Sequence, residues 1–231
     1  MIIALNNKSN LSKAEFKTYL NELNNINSNH KLILCPTYLN IGEFTSNNIS
    51  LGSQNVSSTN DGPYTGEVSA KQLKSYNVEY SLVGHSERRK NQKETEEEIF
   101  EKIIRLLENN IIPILCIGET KEERDNNKVY EIIDKSLENV KRINNEFQSK
   151  IIIAYEPVWS IGTGIIPTTE EINEVITYIK KEFPNNKVLY GGSANEKNID
   201  ILKQITTIDG YLLGGLSLKP NQLKEFIDKL N

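Results

Sequence analysis

Soft ligands and redox partners are scarce in this 231-residue chain. Two cysteines, Cys35 and Cys116, and two histidines, His30 and His85, make up the whole supply, and no CxxC pair occurs. A structural zinc site needs about four such ligands at close spacing, so no metal site is expected. Each cysteine stands inside an apolar run and reads as a buried strand thiol. Positive charge is not in excess: 27 Lys and Arg face 31 Asp and Glu, a net charge of -4. That balance argues against a nucleic-acid binder, whose domain is usually basic with a clustered positive face. No apolar run approaches the ~20 residues that cross a bilayer, so no membrane span is expected. The opening Met-Ile-Ile-Ala-Leu-Asn lacks the basic leader, apolar core and cleavage site of a secretion signal. A cytoplasmic protein is expected. Nor does a Gly/Ser linker or a composition break divide the chain. With 37% hydrophobic residues it can fill one core, and a single domain over residues 1–231 is expected.

What the chain does have is alternation. Short, nearly continuous apolar runs lie at 2–5, 31–35, 49–52, 80–83, 112–117, 151–155, 187–190 and 208–213. Such runs suit parallel strands covered on both faces. Helical spacing follows most of them, at 11–23, 70–76, 95–107, 129–147, 168–179, 196–205 and 217–230, with a short helix at 38–44. Thr95 with Glu98, and Thr168 with Glu171, stand in capping-box positions. Eight strand–helix units predict an α/β fold, one closed (β/α)8 barrel. An open doubly wound sheet gives the same periodicity.

In such a barrel, chemistry gathers where strands end. His85 follows the strand 80–83 and precedes a helix turn whose backbone amides would favour the neutral imidazole. Glu156 closes the apolar strand 151–155 before Pro157, where partial desolvation would raise its basicity. Each could equally be a satisfied rim side chain. The segment Pro157-Val158-Trp159-Ser160-Ile161-Gly162-Thr163-Gly164 has two glycines beside an aromatic anchor, and it runs on to Pro167. It is longer than an ordinary strand–helix loop and reads as a mobile lid. Gly191-Gly192-Ser193 and Gly214-Gly215 follow the seventh and eighth strands, where such barrels frequently cradle a phosphate. Asn6 and Lys8 follow the first strand and could offer an amide and a cation. One base, one neutral electrophile, one cation and a phosphate cradle, with no dinucleotide fingerprint, leave proton abstraction beside a carbonyl in a small phosphorylated molecule.

These residues also carry a resemblance. Ala154-Tyr155-Glu156-Pro157-Val158-Trp159 with Ile161-Gly162-Thr163-Gly164 is similar to the triosephosphate isomerase signature. So are Val83-Gly84-His85-Ser86-Glu87-Arg88-Arg89, Tyr190-Gly191-Gly192-Ser193, and Asp209-Gly210-Tyr211-Leu212-Leu213-Gly214-Gly215. Gln54-Asn55-Val56-Ser57 with Gly62-Pro63-Tyr64-Thr65-Gly66-Glu67 completes the set, in the family's order from Asn6 to Gly215. The resemblance implies a TIM barrel that interconverts dihydroxyacetone phosphate and glyceraldehyde 3-phosphate without a cofactor, in glycolysis and gluconeogenesis.

By that resemblance Glu156 is the base and His85 the electrophile. Lys8 supplies charge and Asn6 orientation, while Gly162, Ser193, Gly214 and Gly215 hold the phosphate. Ile161 and Leu212 press on the glutamate when the lid, residues Pro157, Val158, Trp159, Ile161 and Gly164 among them, shuts. The loop from Gln54 to Glu67, with Thr65 at its tip, implies a homodimer. Departures are Asn7, where the family usually has an aromatic residue, Lys90-Asn91-Gln92-Lys93, and Ile165-Ile166-Pro167 in place of a Lys-Thr-Ala-like lid hinge. An isomerase for a different sugar phosphate, or a barrel kept as a scaffold, are the competing readings. A scaffold has no need of Asn6, Lys8, His85 and Glu156 together.

Overall fold

The computed structural model describes residues 1–231. Eight strands form a closed parallel barrel in sequence order: β1 (Ile2–Asn6), β2 (Lys31–Cys35), β3 (Ile49–Ser53), β4 (Tyr80–Val83), β5 (Ile112–Ile117), β6 (Ile152–Tyr155), β7 (Val188–Tyr190) and β8 (Gly210–Leu213). β8 returns to β1 with Tyr211 opposite Ile3 and Leu212 opposite Ala4, which closes the barrel and rules out the open sheet. Alternate side chains serve two cores, because successive Cβ atoms point to opposite faces of a strand. Ala4, Ile33, Cys35, Leu82, Ile114, Cys116, Ile152, Ala154, Leu189 and Leu212 fill the interior. Their neighbours Ile3, Leu5, Leu32, Leu34, Leu115 and Ile153 point outward against the helices. Both cysteines are free and buried, as their runs predict.

The helices start where their caps dictate. Thr95 caps Glu96–Glu108 and Thr168 caps Thr169–Glu182, each exchanging backbone and side-chain bonds with the glutamate three residues on. Ser12 does the same, so the first helix is Lys13–Asn24 rather than 11–23. The segment 129–147 is two helices, Val129–Lys141 and Asn145–Gln148, because Asn144 caps the second through the Glu146 amide. The segment 217–230 likewise splits into a 3₁₀ turn, Gly215–Leu218, and a helix, Pro220–Asp228, opened by a proline that suits a first helical turn. The helix expected at 196–205 shrinks to Ile199–Leu202, and that at 38–44 to Tyr38–Ile41. The helix turn expected after His85 is Ser86–Asn91, whereas Lys121–Asp125, after β5, is a short helix too polar to show an apolar stripe. No helix is long and apolar enough to cross a membrane.

Candidate active site

All the singled-out strand-end residues meet at the carboxyl mouth of the barrel. The backbone of Lys8 turns left-handed directly after β1, with φ 52°. Its N–H donates to Asn6 Oδ1 at 3.0 Å, and its carbonyl accepts from Gln54 Nε2 at 2.8 Å. A left-handed non-glycine backbone persists only where its surroundings fix it, and these two bonds fix it. The Lys8 ammonium reaches across the mouth to Glu87 Oε1 at 2.5 Å. Asn7, the departure from an aromatic residue, turns inward instead. Its Nδ2 lies 3.3 Å from both Tyr19 Oη and Ser217 Oγ, so it packs the wall and not the site.

His85 caps the helix Ser86–Asn91, and its Nδ1 accepts the Glu87 N–H at 3.2 Å. An N–H aimed at Nδ1 needs a lone pair there, which selects the neutral tautomer with its proton on Nε2. That Nε2 lies 3.5 Å from Glu156 Oε1. Glu156 is 3% exposed, and its Oε2 has no hydrogen-bond partner. A buried carboxylate oxygen left unpaired is costly, and such groups concentrate where chemistry needs them. Glycine at 191 makes room for this carboxylate: a Cβ there would stand 2.6 Å from Glu156 Cγ. Cys116 lies against the same side chain. Burial first, and then the carboxylate's charge, push its thiol well above the ordinary range.

Two cavities open on the mouth and share Lys8. One, of about 350 Å³, is lined by Asn6, Lys8, Gln54, His85 and Glu87. The other, of about 390 Å³, is lined by Lys8, Ile161, Gly162, Ser193, Gly214 and Gly215. Amide, imidazole and carboxylate side chains thus sit on one side of the Lys8 cation, and glycines with Ser193 on the other. Gly162 and Gly164 have φ of 70° and 77°, in the left-handed region that glycine enters freely.

The lid segment begins as a 3₁₀ turn, Val158–Ser160, and is exposed from Gly162 to Ile166, while Pro167 is buried at its far hinge. Trp159 Nε1 donates to Glu119 Oε1 at 3.0 Å. The Glu119 carboxylate is fully buried and is also held by Arg124 Nε at 2.8 Å and by the Tyr155 hydroxyl. Leu212 belongs to the barrel interior and Ile161 lines the 390 Å³ cavity.

Residues 1–230 match the sequence profile of one family, described as triosephosphate isomerase. The chain is 39% identical to the triosephosphate isomerase of Mesomycoplasma hyorhinis, across 92% of this chain and 90% of that one. It is 38% identical to that of Emericella nidulans, across 90% and 87% of the two chains. Against that of Prochlorococcus marinus the identity is 35%, across 95% of each. The chain belongs to the triosephosphate isomerase family.

Membership makes it an isomerase by family. One expectation changes. Ser193 is not a free donor for a phosphate: its Oγ donates to the Ser160 carbonyl at 2.5 Å and its N–H to Ser160 Oγ at 3.1 Å. Sequence reasoning also passed over Glu119, Arg124 and Ser160. Glu119 follows β5 in Cys116-Ile117-Gly118-Glu119, and the strand-end rule that picked out Glu156 would have found it. Arg124 is revealed only by folding, since it reaches Glu119, Glu171 and the Tyr155 hydroxyl from a short polar helix. The triosephosphate isomerase loop from Gln54 to Glu67 is anchored at its base, where the Lys102 ammonium bridges Asn55 and the Glu94 carboxylate. Burial alone would raise the Glu94 carboxyl. Bonds from Lys102 and Arg88 outweigh it and hold that group below the usual range.

Proposed function

We propose that this single-domain chain interconverts dihydroxyacetone phosphate and D-glyceraldehyde 3-phosphate without a cofactor, as a cytoplasmic enzyme of glycolysis and gluconeogenesis. The observation that carries the reading is the buried pair of Glu156 Oε1 and His85 Nε2, 3.5 Å apart, with His85 lining a cavity together with the Lys8 cation. Glu156 takes a proton from C1 of dihydroxyacetone phosphate and returns it to C2. The C1 electron pair moves into the C1–C2 bond, and the carbonyl oxygen becomes part of an enediolate. The neutral His85 donates Nε2–H to that oxygen and recovers a proton from the other, so no net proton is consumed.

Lys8 and Asn6 face the developing negative charge from the end of β1. Backbone amides around Gly162, Gly214 and Gly215, with Ser193 once it is released, hold the phosphate. Closure of the lid brings Ile161 and Leu212 onto the glutamate and excludes water, which protects the enediolate from losing phosphate. The test is turnover of glyceraldehyde 3-phosphate in a coupled assay with no added cofactor and with chelator present. Sustained turnover of that triose phosphate is expected. A folded protein that turns over a different sugar phosphate, or none, overturns the reading.

The active unit is proposed to be a homodimer. Residues 61–67, with Thr65 at the tip, are exposed. Leu39 is 90% exposed, and Tyr38 and Tyr76 are exposed beside it. These side chains line a surface cavity with Val68 and Leu73, next to the base of that loop. Exposed apolar groups gathered at one rim of a site mark an interaction surface. Thr65→Asp places a charge where the tip would insert into the partner. The sedimentation coefficient and the activity are expected to fall together. A Thr65→Asp protein that sediments as a monomer and keeps full turnover would sink the idea.

A further inference from the structure

Ser160 is fully buried, and its polar atoms tie three pieces of the mouth together. Its Oγ donates to the Ile165 carbonyl at 2.8 Å, bracing one half of the lid against the other. The same Oγ accepts the Ser193 N–H at 3.1 Å, and the Ser160 carbonyl accepts the Ser193 hydroxyl at 2.5 Å. Glycine at 192 permits this approach, since a Cβ there would stand 2.8 Å from Ser160 Oγ. Both donors of Ser193 are therefore spent on one residue of the lid. Yet Ser193 lines the 390 Å³ cavity with Lys8, Gly162, Gly214 and Gly215. An anion there can take the Ser193 donors only if Ser160 gives them up.

We infer that the Ser160 hydroxyl is an internal competitor for the phosphate group, holding the Ser193 amide while the cradle is empty and yielding it when a phosphorylated ligand binds. The inference rests on the phosphate-cradle reading above. The exchange has a favourable direction. An N–H bonded to an anionic oxygen is roughly twice as strong as one bonded to a neutral hydroxyl, so a phosphate displaces the serine. Without a ligand, the hydroxyl spares the loop a buried unsatisfied donor. Because Ser160 is braced to Ile165, surrender of Ser193 frees the lid as one body. Occupancy of the cradle is thereby linked to lid position. Ser160 acts as a positioning residue that touches no reacting atom.

The sign of the effect separates this role from a merely structural one. Loss of a structural hydroxyl loosens the loop and weakens binding, whereas loss of a competitor tightens it. Calorimetric titration of the intact protein with inorganic phosphate is expected to give a Kd about 5-fold lower for Ser160→Ala than for the wild type, the worth of one neutral hydrogen bond. KM for glyceraldehyde 3-phosphate should fall by a similar factor with no rise in kcat. Ser160→Cys keeps the volume with a weak acceptor and should lie between the two. Equal or weaker phosphate binding by Ser160→Ala overturns the inference, as does the absence of phosphate binding by both proteins. Turnover of the wild type is a separate readout. Equal phosphate affinities in an active enzyme remove the competitor and leave the reaction. An inactive wild type removes the reaction, and the two affinities still decide the competitor.

Discussion

Glu156→Asp is expected to turn over glyceraldehyde 3-phosphate at least about 10²-fold more slowly than the wild type, with the fold intact. Removing one methylene retracts the carboxylate by about 1 Å, and a base misplaced on that scale loses roughly two orders of magnitude. This site leaves little room to recover. The Glu156 backbone is held by its N–H bond to the Ile117 carbonyl at 2.7 Å, in line with the barrel wall. Its Cγ is hemmed by the Gly191 backbone, and Oε1 faces His85 Nε2 at 3.5 Å. A shorter side chain cannot slide towards the substrate without breaking that backbone bond. Activity of Glu156→Asp within a few-fold of the wild type, with a matching circular dichroism spectrum, would remove Glu156 as the base.

Removal of the Lys8 charge, as Lys8→Met, is expected to lower kcat/KM by about 10²–10³-fold while leaving stability nearly unchanged. The two halves of that expectation have different physical sources. Preorganised groups aimed at developing charge are worth several kcal/mol in a water-excluded site, and losing one typically costs that factor. The ion pair of Lys8 with Glu87 at 2.5 Å is, by contrast, partly exposed on both sides, with side chains 26% and 49% accessible. Exposed pairs contribute about 0–1 kcal/mol. A denaturant midpoint close to the wild type beside a large kinetic loss is the expected combination. Lys8→Arg should recover little of the activity, because the planar fork differs in reach and shape from an ammonium set by a left-handed backbone. A kcat/KM for Lys8→Met within about 10-fold of the wild type would show that the cation does not act on the reaction.

The frame of this protein was legible before any coordinates. Two local signals carry most of it. Nearly unbroken apolar runs mark strands buried on both faces, and capping boxes at Thr95 and Thr168 fix helix starts to the residue. Element ends were less legible where local chemistry cuts across a hydrophobic pattern. Asn144 and Pro220 break apparently continuous helices, one by capping and one by opening a new first turn. The polar helix Lys121–Asp125 has no apolar stripe, so nothing in its spacing announces it.

Residue types and their places at strand ends were likewise determined by the sequence: a carboxylate after β6, an imidazole after β4, a lysine after β1 and glycines after β7 and β8. Those assignments follow from short-range chemistry, which any window of a dozen residues contains. Closure of the sheet was decided only in three dimensions, because Leu212 meets Ala4 across more than two hundred positions and no local pattern encodes that pairing. Tertiary structure alone also decided who holds whom. The His85 tautomer follows from the Glu87 amide, Glu119 collects Arg124, Tyr155 and Trp159, and both donors of Ser193 go to Ser160 rather than standing free. Hydrogen bonds are directional and short-ranged, so a partner is chosen by an ångström of backbone placement, and that placement is set by packing of the whole barrel.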